Sequence, residues 1–437
     1  MPSRPELCYN PITMPEPDFL PAAQALFPQL VATRRDLHRY PELGFQETRT
    51  AGLIAGRLRE LGLEVQTGVG QTGVVGLLEG ANPGPTVLLR FDMDALPITE
   101  ANETDYTSQH PGRMHACGHD GHVAMGLGIA SLLARHQSEI NGTLKFIFQP
   151  AEEGLGGAFA MIADGVLHNP RPDVALAMHL WNELPLGQIR VTAGPAMAAS
   201  SRFTLTISGH GGHGAAPHKG RDPILAAAHI ITALQSIVSR NIDPLESVVV
   251  TIGQITSGTT FNVIPETALL KGTVRSYNME LHRIIYRRIL EMATNVAAAF
   301  GCEAVMETVA IVPAVVNSPE VAGVVAAIAG QVVGPHNVVD GQEMASEDMG
   351  HFLEEIPGCY FFIGSRNAPA GFHYPHHHPR FDFDEQAMVY GVATMARVAA
   401  YYVMGDFARN WQRIAEDAAL PDSFSTTTPA NIPPSLT

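Results

Sequence analysis

The stretch Thr143-Leu-Lys-Phe-Ile-Phe-Gln-Pro-Ala-Glu-Glu-Gly154 joins an apolar run to two adjacent carboxylates. Its first six residues predict a buried strand, and Glu152 and Glu153 follow closely on its carboxyl end. Ligands of an open α/β sheet bind at that end of the strands. Neighbouring side chains point in different directions, so one carboxylate can bind a metal ion while the other faces a substrate as a base.

Strands and helices alternate on both sides of this stretch, which predicts an α/β sheet whose strand ends carry the site. Near the amino terminus, apolar residues recur at helical spacing, and short β-rich runs separated by Gly and Pro follow. The carboxyl-terminal part of the sequence predicts one buried strand and one long helix. The expected elements are helices Ala22–Arg39, Glu47–Leu61 and Glu385–Val403 and strands Val74–Leu78, Thr86–Leu89, Val174–Met178 and Tyr360–Ile363.

A different pattern begins after the small residues of 192–201. It reads strand, helix, strand, strand, helix, strand, which predicts an inserted α+β domain with a four-stranded sheet and two helices. Its expected elements are Phe203–Ser208, Pro223–Ser239, Ser247–Ile255, Thr267–Val274, Met279–Phe300 and Ala304–Ile311. We therefore expect one domain from residues 1–197 and 312–420, an insert over 198–311, and a disordered tail at 421–437, where Ser, Thr and Pro abound.

Composition narrows the class of protein. A chain of 437 residues usually forms more than one core, and 46% hydrophobic residues suit a globular fold. A net charge of −16 repels polyanions, so no nucleic acid partner is expected. The four cysteines lack disulfide-like spacing, the amino terminus lacks a signal pattern, and no stretch reaches the roughly 18 apolar residues of a membrane span. We expect a cytoplasmic protein that does not enter a membrane.

Potential metal ligands are scattered along the chain. His115-Ala-Cys-Gly-His-Asp-Gly-His122 crowds a thiol and imidazoles into a glycine-broken loop, which suits a borderline-soft divalent ion. The expected donors are Cys117, His119, Glu153, His179 at a strand end, and one of His376, His377 and His378. Together they supply thiolate, imidazole and carboxylate groups, which is enough for two ions. Asp92 and Asp94, two residues apart, face the same side of another strand end.

Ten motifs in order resemble a known family across 36–403. They are DLHRYPELGFQE, RFDMDALPI, HACGHDGH, QPAEEG, AMHLW, GGHGAAPH, FNVIPE, GTVRS, ASEDM and HHPRFDFDE. The family is that of the co-catalytic metallopeptidases, which includes aminoacylase and glutamate carboxypeptidase. The chain is most similar to hippurate hydrolase and the plant auxin-conjugate amidohydrolases. The resemblance implies that 198–311 is a lid and dimerisation domain.

The resemblance also implies a role for each matching residue. The metal ligands would be Cys117, His119, Glu153, His179 and His377, with Glu152 as general base and Asp94 as a carboxylate that orients a ligand. His377 stands two residues before Pro379, as the family pattern requires, whereas the residues alone leave His376 and His378 open. His213 would reach into the partner subunit's site and stabilise the oxyanion, and Asn262 and Arg275 would hold the substrate's carboxylate.

The implied reaction is hydrolysis of the amide bond of a small N-acyl amino acid, such as hippurate, to a carboxylic acid and a free amino acid. Two divalent ions, zinc or manganese foremost and cobalt or nickel as further options, would serve as cofactors. A homodimer or a dimer-based oligomer is expected. The alternatives are a dipeptidase, a deacetylase of the N-acetyl-diaminopimelate type, and a non-catalytic protein that binds acyl amino acids.

Overall fold

The computed structural model of the chain describes residues 18–409 and Trp411. The predicted tail at 421–437 lies outside them. The helices are α1 (Phe19–Arg39), α2 (Thr48–Glu60), α3 (His119–Ala134), α4 (Gly157–Ala163), α5 (Pro223–Ser236), α6 (Met279–Ala299), α7 (Pro319–Val333), α8 (Gly350–Glu355), α9 (Ala387–Met404) and α10 (Asp406–Arg409). The strands are β1 (Glu64–Val69), β2 (Gly73–Glu79), β3 (Asn82–Asp92), β4 (Asn141–Gln149), β5 (Val174–Pro185), β6 (Ile189–Arg190), β7 (Gly194–Met197), β8 (Ala199–Ser208), β9 (Gly212–His213), β10 (Val248–Ser257), β11 (Val263–Ile264), β12 (Thr267–Ser276), β13 (Glu303–Val312), β14 (Val315–Asn317), β15 (Val338–Val339) and β16 (Gly358–Arg366).

The predicted α/β sheet forms the centre of the larger domain, and it contains both parallel and antiparallel strands. Within the described residues its order is β1-β2-β4-β3-β5-β16-β6-β15. The inner strands β4, β3, β5 and β16 run parallel, whereas β1 and β2 add an antiparallel edge. The stretch at 143–149 is an inner strand of this sheet. Because inner parallel strands end at one edge, the segments after β3, β4 and β5 lie side by side there.

Helices cover the sheet and fix where its edge segments lie. One face packs against α1, α3 and α9, whose apolar residues join those of the sheet in one core cluster. A second cluster lies on the opposite face, around α4 and α8. Helix α3 lies very close to the sheet, since a Cβ at Gly126 would stand 2.8 Å from atoms of Phe91 and Phe148. This close packing fixes the amino-terminal end of α3 against the strand ends.

The expectation of a glycine-broken loop over 115–122 is correct only for its first half. The loop ends at Gly118, whose φ of 95° is a conformation that favours glycine, and α3 begins at His119. Gly121 is helical, and a Cβ there would meet Leu180 and Phe383 at 2.6–2.7 Å. Tight packing rather than chain flexibility therefore explains this second glycine.

A second, antiparallel sheet has the order β10-β12-β8-β13 and carries α5 and α6 on one face. Side chains alternate along β8, where Phe203, Leu205 and Ile207 are buried beneath the helices and Arg202 is exposed on the opposite face. The helix expected over 223–239 ends as an α-helix at Ser236 and continues as a π turn, Ile237–Asn241. Where the insert begins and ends, and whether it acts as a lid, stay predictions.

Two helical segments are long and apolar enough to cross a membrane by length and composition, which corrects the expectation that no stretch reaches that length. They are Pro223–Asn241 and Ala387–Met404. In the second, 83% of the apolar window is buried, and α9 packs between α1, α3 and α7. Core helices of globular proteins share this composition, because a helix that is surrounded by protein is apolar on every side.

Candidate metal centre

Donor atoms of five residues converge at the carboxyl ends of the inner strands. Cys117, His119 and His179 form one group of three, and Cys117, Glu153 and His377 form another. In each group the donor atoms lie within 4.8 Å of one another, and Cys117 belongs to both. A thiolate shared by two triads is an arrangement that can bridge two ions. These are the five residues predicted as ligands, and their role as ligands stays a prediction.

His119 is held so that one ring nitrogen is free. Its Nδ1 lies 2.9 Å from the carbonyl oxygen of Asp94 and 3.2 Å from the Oδ1 atom of Asp94. Its Nε2 is buried and has no hydrogen-bond partner among the described residues. Asp94 also accepts a hydrogen bond from the backbone N–H of Glu153 at 3.1 Å. The carboxylate of Asp94 therefore links two of the expected ligands, as a group that orients them would.

His179 and Cys117 approach each other from β5 and from the loop before α3. The Nδ1 atom of His179 lies 2.6 Å from the carbonyl oxygen of Leu180, which leaves Nε2 3.5 Å from the Sγ atom of Cys117. Burial lowers the pKa of His179 well below its usual range, and the nearby ring of His122 adds to the shift. The ring is therefore neutral, which is the form that binds a metal ion.

Among the three consecutive histidines, His377 alone joins a group of donors in the described chain. Its backbone adopts a φ of 65°, and its N–H donates to the carbonyl of Ala116 at 2.7 Å. Its Nε2 lies 3.2 Å from the Oε1 atom of Glu153. The Nε2 of His376 lies 2.9 Å from the carbonyl of Leu180, and the Nδ1 of His378 accepts from the N–H of Arg380. The geometry thus favours His377.

His122 belongs to the quoted histidine segment but has no nitrogen left for a metal ion. Its Nδ1 lies 2.5 Å from the Oδ1 of Asp92, and its Nε2 accepts from the backbone N–H of Leu180 at 3.0 Å. Proximity alone would group His122 with Asp92 and His119. Because a neutral imidazole has one donor and one acceptor, these two bonds satisfy the ring.

The electrostatics of the donor set fit divalent cations. Burial raises the pKa of the Cys117 thiol well above its usual range, and the charges of Glu153 and Glu152 raise it further. Burial lowers the pKa of His119, but Asp92 and Asp94 outweigh this effect and raise that pKa to about 10. The Oε1 atom of Glu153 is buried and lies 3.2 Å from the Nε2 atom of His377, without an aligned hydrogen bond in the described residues. Clustered acidic groups of this kind need positive charge, which two bound cations would supply.

Glu152 stands beside the donors, next to two more acidic groups. Burial raises its pKa well above the usual range, and the charges of Glu347, Glu153 and Asp348 act in the same direction. The positive charge of Arg90 offsets the negative charges of the acidic groups behind Glu152. The Arg90 guanidinium donates to Asp92 at 2.6 Å, to Glu347 at 2.7 Å and to Asp348 at 2.9 Å. A carboxylate with such a raised pKa readily accepts a proton, as a general base must.

A cavity of about 370 Å³ opens above these groups. Cys117, Glu152, Glu153, His179 and His377 line its floor, and Arg275 of β12 reaches it from the second sheet. The Nε1 atom of Trp181, on the wall, is buried and has no hydrogen-bond partner among the described residues. The cavity therefore offers a base and a cation for an anionic group to one small ligand.

Two other predicted site residues lie away from this cavity. His213 is exposed on β9, where its Nδ1 accepts from the N–H of Ala215 at 3.0 Å. Asn262 is exposed beside His213, and the backbone carbonyl of Asn262 accepts a hydrogen bond from the N–H of Gly214. A single chain does not bring either residue to the five donors. The predicted role of His213 requires a second subunit, so the position of His213 leaves that role a prediction.

Sequence reasoning missed the charged residues behind the site. Arg90, Glu347 and Asp348 lie within the quoted motifs RFDMDALPI and ASEDM, but nothing in the residues alone pairs positions so far apart. The same holds for Arg34 of α1, which is completely buried and pairs with Asp120 and Asp382. An arginine at an apolar helix face was the one signal available, because buried arginines require acidic partners.

The chain is similar over most of its length to proteins of one peptidase family. The model of peptidase family M20/M25/M40 matches residues 88–401. A thermostable carboxypeptidase of Saccharolobus solfataricus is 40% identical over 85% of this chain and 95% of its own. An IAA-amino acid hydrolase of Arabidopsis thaliana is 38% identical over 86% of both chains. An N-acetyldiaminopimelate deacetylase of Geobacillus thermodenitrificans is 41% identical over 79% of this chain and 91% of its own.

A solved structure of a dinuclear metal-binding protein is similar to the chain over most of its length. The Bacillus subtilis YxeP protein, a dinuclear metal-binding peptidase of the M20 family, is 34% identical and superposes with a TM-score of 0.73. The match covers 86% of this chain and 98% of that one. In this chain the groups around Cys117 are the candidate donors for such a site. The chain therefore belongs to peptidase family M20/M25/M40 and is a metal-dependent hydrolase that acts on amide bonds.

Proposed function

We infer that the chain hydrolyses N-acyl amino acids, of which hippurate is one example, to a carboxylic acid and a free amino acid. The observation that carries this proposal is the shared cavity of Glu152, the metal-donor groups and Arg275. An arginine in this position suits the carboxylate of the amino-acid part, because its planar fork donates two parallel hydrogen bonds. The relatives named a carboxypeptidase, an IAA-amino acid hydrolase and a deacetylase support a substrate of this general form.

The metal ligands in this proposal are Cys117, His119, Glu153, His179 and His377. Two divalent cations held there would acidify water and polarise the substrate's carbonyl. Zinc or manganese suits the mixed sulfur, nitrogen and oxygen donors, and cobalt or nickel is compatible with them. Asp94 keeps the free nitrogen of His119 directed at the site through its contacts with Nδ1.

Glu152 takes a proton from the attacking water and delivers it to the departing amine. Its raised pKa, caused by burial and by the charges of Glu347 and Glu153, makes the carboxylate a good acceptor. Arg275 holds the carboxylate of the amino-acid part, so that the amide carbonyl lies above the metal donors. The protein would act in the cytoplasm on this small molecule.

A partner subunit would complete the site through His213 and Asn262. Both residues are exposed in the single chain, and neither lines the cavity. A homodimer would explain why polar residues of β9 and of the segment before β11 face solvent here. In it, His213 of one subunit would donate a hydrogen bond to the oxyanion formed in the other.

The function is tested with a substrate panel after chelation and return of single metals. The panel contains hippurate, N-acetyl amino acids, N-acetyl-diaminopimelate, indole-acetyl conjugates, simple dipeptides and hippuramide, which lacks the carboxylate. We expect metal-dependent cleavage of acyl amino acids and about 100-fold lower kcat/KM for hippuramide, a difference that Arg275→Gln removes. If only dipeptides are cleaved, the protein is a dipeptidase instead. If only N-acetyl-diaminopimelate is cleaved, the protein is a deacetylase of that type.

The role of His213 is tested by mixing two variants that are each inactive. A mixed dimer of His213→Ala and Glu152→Gln contains one site with an intact Glu152 and an intact partner histidine. Activity should therefore return on mixing and subunit exchange. Continued inactivity of a demonstrated mixed dimer would show that His213 does not act across subunits.

A further inference from the structure

Two arginines lie side by side on the open face of the second sheet. In the pairing of β8 with β12, Arg202 is opposite Thr273 and Arg275 is opposite Ser200. The two arginines are therefore diagonal neighbours on the face away from α5 and α6. Diagonal neighbours of antiparallel strands stand about 7–8 Å apart, within reach of one another's long side chains.

Neither guanidinium forms an ion pair with an acidic side chain of the described residues. Arg275 donates to the hydroxyls of Ser200 and Thr273 and to the carbonyl of Val274. Arg202 donates to the carbonyl of Gly154 at 3.5 Å. Burial lowers the pKa of Arg275, and the charge of Arg202 lowers it further, so the two cations repel each other. Two adjacent cations without an acidic partner attract an anionic group of a ligand.

The position of Arg202 relates it to the active-site cavity. Gly154 follows the expected ligand Glu153 and lines the cavity, and Arg202 contacts its carbonyl across the two sheets. On its other side Arg202 lines an open groove of about 490 Å³ with Lys271 and Thr204. Arg202 thus stands between the cavity and the groove, one diagonal step beyond Arg275. A ligand that bonds to Arg275 and extends along the sheet meets Arg202 next.

We propose that Arg202 is a specificity-determining residue that binds a second carboxylate on the amino acid released by the enzyme. The preferred substrates are then N-acyl derivatives of acidic amino acids, with the first carboxylate on Arg275 and the side-chain carboxylate on Arg202. This inference rests on the proposed function. Two adjacent guanidinium groups without acidic partners match two carboxylates on one small molecule, and a charge-assisted pair forms at each.

Lys271 provides a matched control on the same face. It lies on β12 four residues before Arg275, about 13 Å away at the rise of an extended strand. Lys271 therefore stands farther from the cavity than Arg202 does. Lys271→Gln and Arg202→Gln each remove one positive charge from the same sheet face. A loss of preference that is caused by the general electrostatic field would therefore occur in both variants. A loss that is caused by a local contact would occur only in Arg202→Gln.

The experiment compares two substrates of nearly equal shape. N-acetyl-L-glutamate and N-acetyl-L-glutamine differ in one side-chain charge, and N-acetyl-L-methionine serves as the reference. In the metal-loaded wild-type protein we expect kcat/KM to favour glutamate over glutamine about tenfold, the effect of one charge-assisted contact. Arg202→Gln should bring this ratio close to one, mainly through KM, while Lys271→Gln keeps it. The methionine derivative should be cleaved equally by all three proteins.

Four results would overturn the proposal. The first is a wild-type glutamate-to-glutamine ratio of kcat/KM near one, and the second is an unchanged ratio in Arg202→Gln. The third is an equal loss of the preference for glutamate in Lys271→Gln. A uniform fall in kcat for every substrate in Arg202→Gln would also contradict it, since that result indicates a role in bringing the two sheets together. If no N-acyl amino acid is cleaved at all, hippurate included, the proposed function itself fails, which is a distinguishable outcome.

Discussion

Replacing Arg34 with methionine should strongly destabilise the protein. Arg34 is completely buried in α1 and donates to Asp120 at 2.9 Å, to Asp382 at 2.6 Å and to Glu385 at 3.2 Å. Asp120 follows the expected ligand His119 in α3, and Asp382 follows the segment that carries His377. This one guanidinium therefore joins three parts of the chain, two of which supply metal donors.

The magnitude follows from the acids that the substitution would leave behind. Removing one partner of a buried ion pair costs about 3–5 kcal/mol, because the remaining charge stays out of water. Burial lowers the pKa of Arg34, but Asp382 and Asp120 outweigh this effect and raise it well above its usual range, so the group is charged at every ordinary pH. We expect a loss of about 3–5 kcal/mol, a large part of the stability of a typical domain.

Arg35→Met is the control. Arg35 is the next residue, its side chain is 33% exposed, and it pairs with Glu385 alone at hydrogen-bond distance. An ion pair open to solvent contributes about 1 kcal/mol or less. Urea unfolding followed by circular dichroism, with metal concentrations held constant, measures both variants. A loss below about 1 kcal/mol for Arg34→Met, or equal losses for the two variants, would refute this reasoning.

Three further results are expected. Glu152→Gln should keep both metals, counted by mass spectrometry of the ions, and lose about 10²–10⁴-fold in kcat; near-normal turnover would remove Glu152 as the base. His377→Ala should lose bound metal whereas His376→Ala keeps it, and the reverse result would exchange their roles. The pKa of His38 is lowered by burial and by Arg34, but hydrogen bonds to Asp120 and Glu100 outweigh these effects and raise it to about 9. The contribution of protonated His38 to stability is then complete below pH about 6.5 and is lost as the pH rises through about 9. Between these two pH values the unfolding free energy of His38→Gln should therefore depend less on pH than that of the wild-type protein.

The regular elements of the larger domain were predictable, because their signals are local. The helix expected over 47–61 and the strands expected over 74–78, 143–148 and 360–363 are present within a few residues. Each shows the periodicity or apolar run of its own type. Helix α7, Pro319–Val333, was not predicted from the sequence, although Ser318 caps it and Pro319 begins it.

The details of the site depend on contacts between distant residues. Sequence alone left His376, His377 and His378 equivalent, and hydrogen bonds to residues near 116 and 180 distinguish them in the fold. The start of α3 at His119 was missed because a run of glycines and polar residues carries no helical periodicity. Tertiary packing decides both points.

We propose that Cys117 and four other side chains hold two cations beside the carboxylate of Glu152. The direct measurement is the number of metal ions per chain after reconstitution and gel filtration, for the wild-type protein and for Cys117→Ala. The account predicts two ions in the wild type and the loss of both in Cys117→Ala, because the sulfur belongs to both groups of donors. Two ions retained by Cys117→Ala, or full activity of a wild-type protein that holds none, would contradict it.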